Sequence, residues 1–354
     1  MAAEEDAQVV VERALRAGAA AYRTGNYGEA ARIFARVVAT DGTQVGAWQQ
    51  LGSARWRRGD RDGAIDAWRR AVAEDPDRSR AWHNLATALL AASRWAEAAQ
   101  AAERSVALEP ARAKGWNNLG AARHAMGDLQ GAETALRRAL EIEPGFALAR
   151  ANLGRLLLAA DKLAEAETTL LRALAEGQGD PDTRLALGRC LEARGSTDRA
   201  EDVLVAAAKA SPSHVETWVA LGDVRRCNAD APGALDAYEA AAAGAADLDD
   251  AARERIARRR AIAALIAARA RIEDGDAAGF GAVLDRLRGA VADGGPAVAS
   301  DPVVGTALQR CAEAEPGEGL DPRWVAAALS SAIRAPVPPG GKAGPGGTTG
   351  PAFP

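Results

Sequence analysis

Apolar residues recur along this chain at the spacing of helices that bury one face. Between residues 45 and 58, Trp48 and Leu51 lie three positions apart on such a face. Gly59 ends this segment, because glycine tolerates the backbone of a helix end. A second helical segment follows and stops before Pro76, since proline disfavours helix in the residue that precedes it. The pattern predicts two helices joined by a short turn.

This two-helix pattern returns every 34 residues. Pro76, Pro110 and Pro144 keep that spacing, and so do the Leu-Gly or Leu-Ala pairs that begin at Leu51 and Leu85. The seven repeats begin at Val11, Val45, Ser79, Ala113, Ala147, Pro181 and Val215, and the last ends at Leu248. Position 20, counted from the first residue of each repeat, is alanine in all seven. A fixed period of this length is typical of a stacked repeat architecture.

The repeated pattern resembles the tetratricopeptide repeat. Trp116, Leu119, Gly120, Ala132 and Pro144 carry the resemblance best, and it covers residues 11–248. The family implies an all-α fold, an α-solenoid in which antiparallel helix pairs form a right-handed superhelix. It also implies a concave groove lined by the first helix of each pair.

Small and large residues alternate in a way that suits this packing. Glycine or alanine at positions 8 and 20 lets the two helices of a pair approach closely, and larger residues at positions 4, 7 and 24 fill the space between layers. Three repeats depart from the pattern. Ala14 and Arg150 replace tryptophan, and Ala229 lies where a turn glycine is expected.

We expect five segments along the chain. Residues 1–10 form an N-terminal extension, and residues 11–248 form the seven repeats. Residues 249–295 form a degenerate helix pair that caps the array with a polar outer face. Two short helices are predicted within 296–334, because Asp301-Pro302 and Asp321-Pro322 resemble helix starts. The Pro/Gly-rich residues 335–354 are expected to be a disordered tail.

The family lines its groove from positions 2, 5, 6, 9, 12 and 13. Position 6 holds an amide in four successive repeats, and a carboxamide both donates and accepts hydrogen bonds, as an extended peptide requires. In repeats two to five these positions carry no acidic residue, which favours an acidic ligand. Tyr22 and Trp56 are possible aromatic anchors. The predicted groove residues are Gln50, Trp56, Arg57, Arg80, His83, Asn84, Thr87, Lys114, Asn117, Asn118, Asn152 and Arg155.

Structural interpretations of the same residues remain open. The asparagines could be solvated or structural, the basic residues could be a solvated face in an arginine-rich chain, and Trp56 could pack between repeats. If Asn84, Asn118 and Asn152 bind the ligand, their replacement by alanine should abolish partner capture without lowering the melting temperature.

Other features limit the possible functions. The chain has no Gly-rich phosphate loop, G-x-S-x-G, H-E-x-x-H or C-x-x-C motif, so we expect neither an enzyme nor a cofactor. Its His and Cys residues lack metal-site spacing. Three cysteines and an acidic N-terminus without a signal pattern favour the cytoplasm, and no segment suits membrane insertion. The composition favours a bacterial source.

The sequence therefore favours a non-catalytic adaptor that binds an extended, acidic segment of a partner protein or peptide. The alternative is a scaffold that self-assembles through the ends of the solenoid, as a homo-oligomer. A nucleic-acid-binding helical repeat ranks third, because the net charge is −4 and opposes binding to a polyanion.

Overall fold

The computed structural model describes residues 2–177, 179–273, 277–301 and 304–305. All regular structure in these residues is helical. In chain order, the seven repeats supply α1 (Ala2–Arg23) and α2 (Tyr27–Thr40); α3 (Val45–Arg57) and α4 (Arg61–Glu74); α5 (Ser79–Ala91) and α6 (Trp95–Leu108); α7 (Ala113–Ala125) and α8 (Leu129–Ile142); α9 (Ala147–Ala159) and α10 (Leu163–Ala175); α11 (Pro181–Ala193) and α12 (Thr197–Ala210); α13 (Val215–Cys227) and α14 (Ala231–Ala243). The predicted all-α fold of repeated helix pairs is confirmed.

Two longer helices follow the repeats, α15 (Asp250–Glu273) and α16 (Ala277–Ala299). Helix α16 is interrupted at Gly295, whose φ is 62°, and Pro296 follows directly. Three predicted segments lie outside the described residues: the turn at residues 275–276, most of the two short helices, and the whole tail.

The described residues form two compact units. The first contains residues 2–162 and 176–177, and therefore helices α1 to α9. The second contains residues 163–175 and the described residues from 179 onward, and therefore helices α10 to α16. In each unit the core consists mainly of alanine and leucine side chains packed between consecutive helices.

The turn within each repeat has the same backbone conformation. Position 15 has a positive φ in all seven repeats, with values between 56° at Ser93 and 86° at Gly59. Side chains other than glycine rarely adopt this region, because their Cβ approaches the following carbonyl. Ser93, Asp161 and Ala229 adopt it nevertheless. The geometry of the repeat is therefore imposed on the three repeats that lack the turn glycine.

A recurring hydrogen bond stabilises the junction between repeats. In four repeats the tryptophan at position 4 donates its indole N–H to the carbonyl six residues earlier. These bonds run from Trp48 to Gly42 (2.7 Å), Trp82 to Pro76 (2.7 Å), Trp116 to Pro110 (2.8 Å) and Trp218 to Pro212 (2.9 Å). In the fifth repeat, Arg150 donates to the corresponding carbonyl of Pro144 and also pairs with Glu176 at 2.6 Å. Arginine thus replaces both the donor and the bulk of tryptophan.

Position 8 lies against position 24 within a helix pair. A Cβ placed on Gly120 would lie 2.6 Å from Cγ of Leu136, and one placed on Gly222 would lie 2.4 Å from Cε1 of Tyr238. Glycine at position 8 therefore makes room for a large side chain on the second helix. The third repeat has alanine at both positions, Ala86 and Ala102.

Candidate functional site

The predicted groove residues lie on the first helices of the first unit. We call the row formed by α1, α3, α5, α7 and α9 the A-helix face. Helices α5 and α7 contact each other directly, as do α7 and α9. Side chains at equivalent repeat positions therefore come close to one another even though 34 residues separate them in sequence.

The amide of Asn118 is buried between two of these helices. Its Nδ2 donates to Oγ1 of Thr87 at 2.8 Å and lies 3.4 Å from Nδ1 of His83. The Thr87 hydroxyl in turn donates to the His83 carbonyl at 3.0 Å. Asn118 therefore links α7 to α5.

Asn152 has the same role one repeat later. It is buried, and its Nδ2 donates to Oδ1 of Asn117 at 2.8 Å, which links α9 to α7. Arg155 donates to Oδ1 of Asn152 from the same helix. Since alanine at Asn118 or Asn152 would remove buried hydrogen bonds, we now expect it to lower stability, in contrast to the expectation from sequence.

The other two amides at position 6 line an open cavity of about 340 Å³. This repeat 1–3 cavity lies on α1, α3 and α5. Its lining consists of Ala19, Tyr22, Arg23, Gln49, Gln50, Ser53, Arg80 and Asn84. It includes two arginines and three amides but no acidic side chain, so it offers mainly hydrogen-bond donors.

One donor in this cavity has no acceptor. Nε2 of Gln49 is buried and makes no hydrogen bond within the described residues. An unpaired buried donor of this kind costs about 1–3 kcal/mol. The Ser53 hydroxyl donates to the Gln49 carbonyl at 3.0 Å but makes no bond to Nε2.

Positive charge dominates the middle of the A-helix face. Burial and the charges of Arg112, Lys114 and Arg80 together lower the pKa of His83 to about 4, against an opposing effect of Glu109. His83 is therefore neutral at pH 7. Burial and the charge of Arg155 likewise lower the pKa of His124.

Trp56 and Arg57 are among the predicted groove residues that do not line this cavity. The centroid of the Trp56 ring lies 6.0 Å from that of Trp68, in the same helix pair. The Arg61 guanidinium lies 3.8 Å from the centroid of the Trp56 ring. The Arg57 guanidinium lies 6.0 Å from the centroid of the Tyr27 ring, and the nearby Tyr22 hydroxyl raises the pKa of Arg57. Tyr22, rather than Trp56, is thus the aromatic residue in the cavity lining.

Arg23 and Gln49 line the cavity but are absent from the predicted groove residues. Arg23 occupies position 13 of the first repeat, which is a groove position, but that repeat departs from the pattern and was left out of the charge comparison. Gln49 lies at position 5 of the second repeat, and its buried and unpaired Nε2 cannot be seen without coordinates. Extending the same comparison to repeat one would have found Arg23.

The second unit presents a different surface on its first helices. Burial and the nearby charge of Asp223 raise the pKa of Glu192. Asp223 accepts from Tyr238 at 2.7 Å and from Arg259 at 3.1 Å. This mixed-charge surface differs from the donor-rich lining of the repeat 1–3 cavity.

Within the described residues, no three His, Cys, Asp or Glu side chains lie together as a metal site would require. No helix in that same part of the chain is both long and apolar enough to cross a bilayer.

The helix pairs, their 34-residue period and the shared turn geometry define a tetratricopeptide repeat protein. The family model for the cilia and flagella-associated protein 70 C-terminal domain, itself a tetratricopeptide repeat model, matches residues 39–257. The chain belongs to this family. No curated protein matches it.

Solved structures with the same fold are distant in sequence. A tetratricopeptide repeat protein from Parabacteroides merdae is 14% identical with a TM-score of 0.58, over 71% of this chain and 97% of that one. PilW, described as a widely conserved type IV pilus biogenesis factor, is 20% identical with a TM-score of 0.52, over 59% and 96%. Pseudomonas aeruginosa pilF is 18% identical with a TM-score of 0.51, over 59% and 96%. These likenesses support the fold alone.

Proposed function

We propose that this protein is a non-catalytic scaffold that holds an extended, acidic segment of a partner protein on the A-helix face of its first five repeats. The ligand lies across successive first helices, so its anionic groups meet cations from several repeats. A preformed binding surface reduces the ordering cost of association to that of the ligand.

The observation that carries this proposal is the charge of the A-helix face. Arg80 and Lys114 are exposed there, and their charges help to keep His83 neutral. Within the described residues neither cation forms an ion pair, whereas Arg69 pairs with Glu97 at 2.6 Å and Arg137 with Glu133 at 2.9 Å on the second helices. The unpaired cations are therefore available to an acidic ligand.

Fluorescence anisotropy with a labelled hexaglutamate peptide tests the proposal. Wild-type protein should bind hexaglutamate in preference to hexalysine, and the affinity should fall as salt is added, because screening weakens exposed charge pairs. Lys114→Gln should weaken binding about fivefold, as expected for one partly solvated charge contact.

Arg70→Gln is the matched control. Arg70 is exposed on α4, so this variant makes the same change in net charge away from the A-helix face and should bind like wild type. Equal binding of hexaglutamate and hexalysine would contradict the proposal. An equal loss in both variants would also contradict it, since net charge alone would then explain the binding.

Self-association is the second candidate function, and one observation favours it. Val9 and Val10 on α1 are 56% and 66% exposed, which is unusual for neighbouring β-branched residues. Light scattering should then show concentration-dependent assembly that Val9→Ser with Val10→Ser abolishes. A monodisperse monomer at high concentration would remove this candidate.

A further inference from the structure

We propose that a groove in the second unit, formed by the end of α14, by α15 and by α16, is the docking site of this chain's own segment 321–334. We call it the C-terminal groove. It belongs to the second unit, whereas the A-helix face belongs to the first, so it takes no part in the proposed function. The apolar lining, the charge of the rim and the place where the described chain stops all point to this occupant.

Small side chains open the C-terminal groove. Helix α15 contacts both α14 and α16, and the volume enclosed at this junction is about 650 Å³, which is within the range of sites that bury a ligand. Several apolar residues of the lining are exposed, namely Ala243, Ala246, Ala292, Pro296 and Ala297. A contiguous apolar surface with a polar rim is typical of a docking site.

The break in α16 forms one wall of the groove. Gly295 has a φ of 62° and a ψ of −157°, a conformation that is nearly restricted to glycine. Nothing lies within 4 Å of a Cβ added to it, so the backbone is open on that side. Because Pro296 has no N–H, the Ala292 carbonyl cannot receive the usual helical bond from residue 296. A donor on the occupant, such as an indole N–H, can replace that bond.

The chain itself carries a segment with suitable side chains. Seven of its eight tryptophans lie within residues 11–248, and Trp324 is the eighth. Val325, Leu329 and Ile333 follow at a spacing of four residues, which gives a helix an apolar face. A large aromatic side chain outside the repeats needs an apolar surface to bury it, and the groove supplies one.

The rim of the groove and the segment have opposite charges. Three carboxylates and two arginines of the rim, which together carry one net negative charge, are Asp250, Arg253, Glu254, Arg260 and Asp293. The segment has Arg323 near one end and Arg334 at the other, with no acidic residue between them. Complementary charge of this kind favours the docked arrangement and fixes its orientation.

The described chain stops beside the groove. Val304 is fully buried in the same apolar cluster as Ala257, and Ala257 lines the groove. The distance along the chain from Gly305 to Trp324 is about 19 residues, which reach about 60 Å when extended. A tether of this length gives an effective concentration on the order of 1 mM. The chain's own segment therefore has an advantage over a segment of a separate protein.

Hydrogen–deuterium exchange of the full chain, followed by mass spectrometry, tests the proposal. Trp324→Ser should exchange about tenfold faster than wild type in the peptides that cover 253–260 and 292–299, as expected for loss of one aromatic contact. Peptides from α3 to α8 should be unchanged. Phe353→Ser is the matched control, because it removes the other aromatic residue after residue 305, and it should exchange like wild type. Equal exchange in wild type and Trp324→Ser would overturn the proposal.

Ala297→Arg tests the groove from the other side. Ala297 is exposed, so the longer side chain enters the groove without altering the core, and its charge repels Arg323. In this background Trp324→Ser should have no further effect on exchange in 253–260, because the segment is already displaced. An undiminished effect of Trp324→Ser would assign the segment to another surface and overturn the proposal.

Photo-crosslinking identifies which chain supplies the segment. We replace Trp324 by p-benzoylphenylalanine and irradiate an equimolar mixture of unlabelled and ¹⁵N-labelled protein. Crosslinks to α15 or α16 should join peptides of the same isotope. Mixed-isotope crosslinks would overturn the proposal in favour of a second copy, and crosslinks confined to other helices would also overturn it. None of these measurements uses hexaglutamate, so their failure leaves the proposed function in place.

Discussion

The packing of glycine at position 8 against a large residue at position 24 can be tested by a double-mutant cycle. Gly120→Ala would place a Cβ 2.6 Å from Cγ of Leu136 and 3.2 Å from the Ala132 carbonyl oxygen. Overpacking of this kind costs about 1–3 kcal/mol. The gain in helix propensity from glycine to alanine offsets at most about 1 kcal/mol.

Leu136→Ala perturbs the same contact from the other side. Leu136 is fully buried, so its truncation should cost about 2–5 kcal/mol. In the double variant the new methyl group enters the space that the leucine leaves, as in the third repeat, where Ala86 and Ala102 occupy these positions. We therefore expect the double variant to be about 1–2 kcal/mol more stable than the sum of the single effects implies.

Urea unfolding followed by circular dichroism measures these free energies. Gly46→Ala is the control, because nothing lies within 4 Å of a Cβ added to Gly46 in α3, and this variant should be neutral or slightly stabilised. Wild-type stability in Gly120→Ala, or strict additivity in the double variant, would refute the packing argument.

Three further predictions follow from particular contacts. Ala229→Gly should raise the free energy of unfolding by about 0.5–1 kcal/mol, because Ala229 has a φ of 61° that glycine adopts without strain; an unchanged urea midpoint would contradict this. Arg150→Ala should lower stability by about 2 kcal/mol, since it removes the bond to Pro144 and the pair with Glu176; denaturation curves that superimpose on wild type would refute it. The hydrogen bond to Asp182 raises the pKa of His214, so the stabilisation is present below the ordinary pKa of about 6.5 and is lost as pH rises through the raised value. His214→Gln should therefore lose more stability at pH 5.5 than at pH 8.5, and an equal loss at both would be contrary to expectation.

Much of the fold could be predicted from the sequence because the repeat constrains it at many positions. Glycines, prolines and alanines at fixed spacing locate the helix pairs without any information on long-range contacts. The pattern placed Ala229 at the turn position, but the local preference of alanine does not predict its left-handed backbone, because stacking of the neighbouring helices determines that turn. The pattern placed Arg150 at a tryptophan position, but it gave no indication that Arg150 would donate to the Pro144 carbonyl and pair with Glu176.

The candidate site was predictable only in outline. The repeat positions of Gln50, Arg80 and Asn84 placed these residues on one face, and in the structure they line one cavity. They could not reveal that Asn118 and Asn152 are engaged by neighbouring helices, because those bonds depend on side chains more than thirty residues away. The burial of an individual amide depends on the packing between repeats, which the period alone does not specify.

The central claim is that the A-helix face of the first unit holds an acidic chain. Photo-crosslinking tests it most directly, with a hexaglutamate peptide that carries a benzophenone and with crosslinked residues located by mass spectrometry. We predict saturable crosslinks within α1, α3, α5 and α7 that unlabelled hexaglutamate displaces. Crosslinks confined to the second helices, α2, α4, α6 and α8, or crosslinks that the unlabelled peptide fails to displace, would contradict it.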